Sequence, residues 1–508
     1  MAPIIEQLPN EPLFDHLLHS FTAHPRHVLV HDPKNGVEAD CSQLLTDILH
    51  MRHQIFQALP ASSFDAQRRI DPENPYVIVL APGNYDYIVA ALSTLACGGA
   101  FAPICKKAQY VSPGRGLPPS GNDQCIMHAR FTPIRGPGSQ IARYYAARNK
   151  SVAIIPIAVN NAPAAPRPLV RIDPAMMLDP TSPGVLLFTS GTTGPPKGVQ
   201  PCRAGFPVTT LGRCGYESDM AGLAGTRVEV IENDPRVIWE SFCTARVSHF
   251  GAPARTYAQL MKYFEEHIDC LPVEQRSRYV KGVRALQRVI VSGGVTWPTV
   301  MGFWRELLGR PLRNMYSSTE VTAAMETTED SDPNLERCIG KPCRGVQVKL
   351  SDGDHGEILL KSATMFTHYL GNEAATRAVF DEEGYYKSGD FGHLVGDHLR
   401  LSASFHYMRQ VAAVIRPETS KAAVSLSQIR VDLQDKLQRY KLPTLLRTLH
   451  DNEQVPETTS GKPLRRKMEE KYFSLPEEPP LPAGVEFCDT DVGTEETPRR
   501  AWDWGGMM

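Results

Sequence analysis

Between Val185 and Val199 the chain reads VLLFTSGTTGPPKGV, a run of hydroxyls and glycines closed by one lysine. Thr189, Ser190, Thr192 and Thr193 supply hydroxyl donors, and Lys197 supplies a compact positive charge. Gly191, Gly194 and Gly198 let the backbone turn successive N–H groups inward. Such a set suits a polyphosphate. The alternative is an ordinary Ser/Thr/Gly surface turn, but this string is longer and more ordered than a chance glycine loop. The Gly-x4-Gly-Lys-[Ser/Thr] phosphate loop does not fit. Counting from Gly191, the sixth place is Pro196, and Lys197 is followed by Gly198 rather than a hydroxyl. A second cluster, Asn314-Met-Tyr-Ser-Ser-Thr-Glu320, sets a carboxylate beside a hydroxyl. At a strand end that pair can hold a hard cation that already binds phosphate oxygens. In isolation a Thr-Glu pair is more often a helix cap.

These groups need strands and helices to position them. Val185–Phe188 is a short apolar run of the kind that forms a buried strand. Upstream, Pro75–Leu80 reads as a strand. Tyr87, Ile88, Ala91, Leu92, Leu95 and Ala96 form one helix face closed by Gly98-Gly99, and Ala100–Ile104 reads as a further strand, together a βαβ unit. Residues 12–58 carry helical spacing and are expected to form an outer layer. Prolines and glycines crowd residues 106–150, which predicts an irregular loop. A strand is expected again at Ser151–Pro156. Val247–Tyr257 reads as a strand and turn leading into a helix. Leu286–Gly294 is a strand ending in a double glycine, and Trp297–Leu308 is an amphipathic helix closed by Gly309. Ser425 signals the start of a helix expected over Gln428–Tyr440. Residues 475–508, first proline-rich and then rich in Glu and Thr, read as a disordered tail.

The Val185–Val199 stretch resembles the phosphate-loop signature of the adenylate-forming (AMP-binding) superfamily, which includes acyl- and aryl-CoA ligases, luciferases and adenylation domains of peptide synthetases. Further stretches follow in the family's order. Asn314–Glu320 resembles Tyr-Gly-x-Thr-Glu, with Ser317 in place of the usual glycine. Gly384-Tyr-Tyr-Lys-Ser-Gly-Asp390 resembles the family's Gly-[Trp/Tyr]-x-x-[Ser/Thr]-Gly-Asp, and Glu457-Thr-Thr-Ser-Gly-Lys462 resembles its terminal Ser-Gly-Lys signature.

The resemblance implies a role for each residue. Gly293 and Gly294 bring backbone close to adenine, Tyr316 stacks on it, and Ser317 and Ser318 lie in the same binding strand. Thr319 touches the α-phosphate and Glu320 coordinates Mg²⁺. Asp390 accepts from both ribose hydroxyls, which suits an ionised, acceptor-only side chain. Lys462 is the adenylation lysine, stabilising charge that grows in the transition state. A turn aspartate in a hairpin is the alternative for Asp390. Members specific for malonate often carry arginine just before the tyrosine, where this chain has Met315. The acyl-pocket stretch after Val199 and the hinge after Asp390 are abbreviated relative to the family pattern.

At 508 residues with 42% apolar content, the chain is long enough for two to four domains with real cores. Lys and Arg number 54 against 56 Asp and Glu, a net charge of -2 with no basic tract, which argues against a nucleic-acid partner. The cysteines show no metal-ligand spacing and read as reduced thiols of a cytoplasmic chain. No secretory signal, peroxisomal address or membrane span is expected.

The expected fold is α/β: a large N-terminal AMP-binding domain of layered βαβ subdomains (1–395), a small truncated α+β C-terminal lid (396–474) and the tail (475–508). The expected function is ATP- and Mg²⁺-dependent activation of a carboxylic acid and its transfer to CoA, in a specialised (secondary-metabolite) pathway. Alternatives are a degenerate nucleotide-binding member without turnover, or a stand-alone adenylation domain feeding a carrier protein.

Overall fold

The computed structural model describes residues 5–72, 76–103, 125–129, 153–157, 159, 169–188, 197–203, 226–244, 246–294, 296, 298–328, 331, 337–401, 412–416, 424–434, 442–450, 453–456, 468, 471–473 and 484–487. The chain divides into two compact units, Met1–Leu401 and Ser402–Met508, so the division falls later than the expected boundary after 395.

In the first unit, Tyr76–Leu80 is buried at every residue, as a strand covered on both faces must be. The helix Tyr85–Ala96, capped by the Asn84 side chain, returns the chain to Ala100–Pro103, which pairs parallel with Tyr76–Leu80. This is the expected βαβ unit. The sheet continues on the other side through Cys125–Ala129 and Ala153–Ile157, both parallel. The reading of 106–150 as irregular loop is therefore corrected: Cys125–Ala129 is an inner strand of this sheet. An all-parallel inner strand shows no alternation of apolar and polar residues, and five residues among prolines and glycines leave little pattern to detect.

Residues 12–58 also fold differently from an outer helical layer. Two helices, Pro12–Ala23 and Cys41–Ala58, flank the antiparallel pair Val28–Asp32 and Val37–Asp40. Leu44, Leu45, Ile48 and Ile55 are fully buried, in one core cluster with the Tyr85–Ala96 helix.

The sheet that positions the candidate site has nine strands. His249–Pro253, Arg288–Ser292 and Arg313–Ser318 run parallel. At Arg313–Ser318 the pairing changes. Thr322–Glu326 folds back antiparallel, and Cys338–Pro342, His398–Leu401, Tyr386–Val395, His355–Ser362 and Val346–Asp352 continue antiparallel to the far edge. Helices Pro235–Cys243, Ala254–Tyr263 and Pro298–Leu308 pack together through an aromatic cluster. In it Trp239 and Trp304 stack at 5.7 Å, and Trp304 Nε1 donates to the Tyr257 carbonyl.

A separate three-stranded sheet joins Leu187–Phe188, Gly198–Pro201 and Phe366–Tyr369. In the second unit Ala412–Ile415 pairs parallel with Leu445–Thr448, and Val485–Phe487 adds antiparallel. Those three residues correct the reading of 475–508 as wholly disordered: alternate Val and Phe beside a strand edge gain backbone partners that composition does not reveal. The helix announced by Ser425 begins at Leu426, earlier than Gln428, and its Ser425 hydroxyl accepts from the Gln428 N–H as a cap should.

Candidate active site

The phosphate-loop candidate is the connection of a β-hairpin. Leu187–Phe188 enters it and Gly198–Pro201 leaves it, the two strands pairing antiparallel at Phe188/Gly198 and Leu187/Val199. Val185 and Leu186 are fully buried, but the regular strand is only Leu187–Phe188, with Val185 bridging to Phe101 instead. Thr189, Ser190, Gly191, Thr192, Thr193 and Gly194 lie outside the described residues, as does Lys462. Lys197 is described, half-buried at the root of the outgoing strand.

Phe366–Tyr369 pairs with that outgoing strand, setting Tyr369 opposite Val199, while the Leu370 N–H donates to the Gly198 carbonyl at 2.8 Å. This puts the Tyr369 ring 4.6 Å from Lys197 Nζ. At the strand's other end the Phe366 N–H donates to the Glu320 carbonyl at 2.7 Å. The Tyr369 hydroxyl then donates to Glu320 Oε1 at 3.0 Å. One short strand thus links the exit of the candidate phosphate loop to the candidate metal-binding carboxylate.

Glu320 and half-buried Thr319 form the turn between Arg313–Ser318 and Thr322–Glu326. They are at a strand end, as expected, and not a helix cap. A register irregularity between Tyr316 and Ser317 bends this hairpin, and Thr322 adopts a left-handed φ of 64°, costly for a β-branched residue. Local strain of this kind often accompanies functional turns.

Tyr316 sits four residues before Glu320 on the same hairpin. Its hydroxyl donates to Asp390 Oδ2 at 2.6 Å. Asp390 is exposed and lies within the strand Tyr386–Val395, so it is not the turn aspartate of the alternative reading. Ser317 and Ser318 complete the strand, and the Ser318 hydroxyl accepts from the Val321 N–H.

Burial pushes the phenols of Tyr316, Tyr369 and Tyr386 well above their ordinary range, and carboxylates reinforce it: Asp390 for Tyr316, and Glu320 for Tyr369 and Tyr386. All three tyrosines therefore remain protonated donors at neutral pH. Gly293 and Gly294 follow the strand Arg288–Ser292, and both are exposed. Gly293 has a left-handed φ of 70°, whereas a Cβ on Gly294 would meet nothing within 4 Å. The protein itself demands glycine at 293 but not at 294. Buried Thr296, just beyond, has a hydroxyl without a hydrogen-bond partner among the described residues.

The structure therefore brings together Lys197, Glu320, Tyr316 and Asp390 around a group of tyrosines. Sequence reasoning missed Tyr369 and Tyr386 as part of the site. Tyr386 falls in the Gly384–Asp390 stretch, but nothing local marks Tyr369 as the donor to a carboxylate 49 residues away in sequence.

The AMP-binding enzyme family model matches residues 220–370. Acyl-CoA ligase oryP of Aspergillus oryzae is 28% identical, over 92% of this chain and 93% of the relative. Human mitochondrial malonate–CoA ligase ACSF3 is 24% identical over 41% of this chain and 45% of its own length. Among solved structures, ATP-bound MatB from Rhodopseudomonas palustris shares the fold with a TM-score of 0.59 at 15% identity, over 91% of this chain and 98% of that one. The McyG A-PCP structure complexed with phenylalanyl-adenylate gives a TM-score of 0.61 at 15% identity, over 93% and 85% of the two chains. With its motifs in order, the chain matches the AMP-binding enzyme family over residues 220–370 and is similar over nearly its whole length to an acyl-CoA ligase.

Proposed function

We propose that this protein is an ATP-dependent acid:CoA ligase that activates a carboxylic acid as its acyl-AMP, in a specialised, secondary-metabolite pathway. The observation that carries this reading is the convergence of Lys197, Glu320, Tyr316 and Asp390 through Tyr369 and the parallel-to-antiparallel hairpin. Ligands of open sheets with parallel strands favour the carboxyl ends of those strands, and Gly293, Thr319 and Glu320 all follow such ends. The near full-length match to an acyl-CoA ligase supports the same chemistry.

In the first half-reaction the acid's carboxylate oxygen attacks the α-phosphorus of ATP, and the α–β bridging bond breaks to release pyrophosphate. In the second, the CoA sulfur attacks the acyl carbon and AMP leaves. The chain's contribution is positioning and charge. Asp390, an acceptor beside a tyrosine donor, would bind the ribose, and Tyr316 would offer its ring face to adenine. Lys197 and the loop before it would face the phosphates. Lys462 keeps the adenylation role implied by its Ser-Gly-Lys stretch.

Glu320 is a hard oxygen donor and fits Mg²⁺. Among the described residues no group of three or more His, Cys, Asp or Glu could hold a metal ion, so a cation there would complete its shell with phosphate oxygens and water. Bound there, magnesium would neutralise phosphate charge. Cys41, Cys97, Cys243, Cys270 and Cys343 are free thiols, which suits a reducing, cytoplasmic setting. Among the described residues no helix is long and apolar enough to cross a membrane.

ATP–pyrophosphate exchange with a panel of fatty, dicarboxylic and aryl acids tests the reading. We expect exchange with at least one acid, and its loss in Lys462→Ala with ATP binding retained. Folded protein that exchanges with none would point to the degenerate alternative, and a holo-carrier preferred over CoA would point to the adenylation-domain alternative.

A further inference from the structure

We propose that Tyr369 is a positioning residue that sets the Glu320 carboxylate for its cation through its hydroxyl while its ring holds Lys197 toward the phosphates. The inference rests on the nucleotide-site reading above and adds to it a residue that ties two of its parts together.

Four contacts fix Tyr369 from different directions. Its backbone pairs with Val199, two residues beyond Lys197. Its N–H donates to Thr376 Oγ1 at 2.9 Å, inside the helix Glu373–Ala378. Its ring lies 4.6 Å from Lys197 Nζ, within reach of a cation–π attraction. Its hydroxyl donates to Glu320 Oε1 at 3.0 Å. The side chain is only 3% exposed and Glu320 only 8%, so water is a poor substitute for this hydrogen bond. A donor on one carboxylate oxygen restricts rotation of the group and favours a single orientation of the other. The ring and the hydroxyl do separate jobs, which makes them separable by mutation.

The experiment uses the full chain and measures ATP affinity by equilibrium dialysis over a Mg²⁺ titration, alongside ligand-free thermal unfolding. Tyr369→Phe keeps the ring and removes the hydroxyl. We expect it to leave metal-free ATP affinity unchanged and to raise the Mg²⁺ half-saturation by about tenfold, the effect of losing a hydrogen bond to a charged group. Tyr369→Leu removes both and should also weaken metal-free binding several-fold. In a Glu320→Gln background the Phe substitution should add nothing to the Mg²⁺ requirement, because its effect passes through that carboxylate.

A wild-type Mg²⁺ half-saturation in folded Tyr369→Phe would overturn the proposal, as would additive effects in the double variant or wild-type protein that binds no ATP at any Mg²⁺ level. If the Leu variant does not fold, the Phe variant decides. Absence of pyrophosphate exchange in the wild type would sink the ligase reading separately, since the binding titration does not depend on turnover.

Discussion

Tyr316 donates to Asp390 across 74 residues of sequence, and under the proposed nucleotide-site reading that contact separates two roles. The ring offers a stacking face, and the hydroxyl orients an exposed carboxylate. Tyr316→Phe should therefore keep stacking and raise the KM for ATP by about threefold to tenfold, the worth of one net hydrogen bond. Asp390→Ala removes the acceptor itself and should raise it further, with kcat falling less than KM rises. Steady-state pyrophosphate exchange at varied ATP checks both. Glu320→Gln preserves shape and can still accept from Tyr369, but loses the charge that a hard cation prefers. We expect at least about a hundredfold fall in exchange at limiting Mg²⁺, relieved in part at high Mg²⁺. An unchanged metal dependence would count against Glu320 as the metal-binding residue. The types of Tyr316, Glu320 and Asp390 were legible because each falls in an ordered motif. Tyr369 was not, because a hydrogen bond to Glu320 has no signature in the residues around either partner.

Among the elements, the hairpin Arg313–Ser318 to Thr322–Glu326 depends on its neighbour Cys338–Pro342. Gly340 in that neighbour has a φ of 81°, and an added Cβ would lie 2.0 Å from the Glu326 carbonyl oxygen. Gly340→Ala must therefore push two strands apart as well as strain the backbone. We expect a loss of at least about 3 kcal/mol, read from the denaturant midpoint. If the midpoint stays within error of the wild type, the close approach of these strands is not what the site rests on. The parallel strands Tyr76–Leu80 and Arg288–Ser292 were legible as short apolar runs flanked by glycine or proline. Cys125–Ala129 was hidden because its partners, not its own pattern, make it a strand. The same holds for Val485–Phe487.

Across the first unit, a buried ion pair joins Glu11 to the segment that leaves the candidate phosphate loop. Arg203 Nη1 donates to Glu11 Oε1 at 2.9 Å, and its Nη2 donates to the carbonyls of Gly98 and Gly99 at 3.0 and 2.7 Å. Both side chains are less than one-tenth exposed. Arg203→Met leaves the Glu11 carboxylate buried without its cation and should cost about 3–5 kcal/mol, while adding Glu11→Gln should recover part of it. Burial already raises the Glu11 pKa, opposed by Arg203. The folded state then holds this proton more tightly than the unfolded chain does, so the associated stability is complete below the unfolded pKa and is lost as pH rises through the folded one. Without Arg203 the folded value rises further. The single variant should be more destabilised at pH 7 than at pH 4, by chemical denaturation at both; equal losses would show that the charge pair is not the cause.

The sequence by itself determined the chemistry on offer: a hydroxyl-and-glycine loop ending in Lys197, a carboxylate beside a hydroxyl at Thr319-Glu320, an acceptor at Asp390, and their order along an α/β chain. Those features are short, and backbone freedom, charge and hydrogen-bonding capacity belong to the residues that carry them. Only the tertiary structure decided that Phe366–Tyr369 lies beside the strand leaving the loop, that Tyr369 meets both Lys197 and Glu320, and that Tyr316 meets Asp390. Contacts between residues tens of positions apart arise from strand pairing and shared burial, and neither is written in any one stretch of the chain.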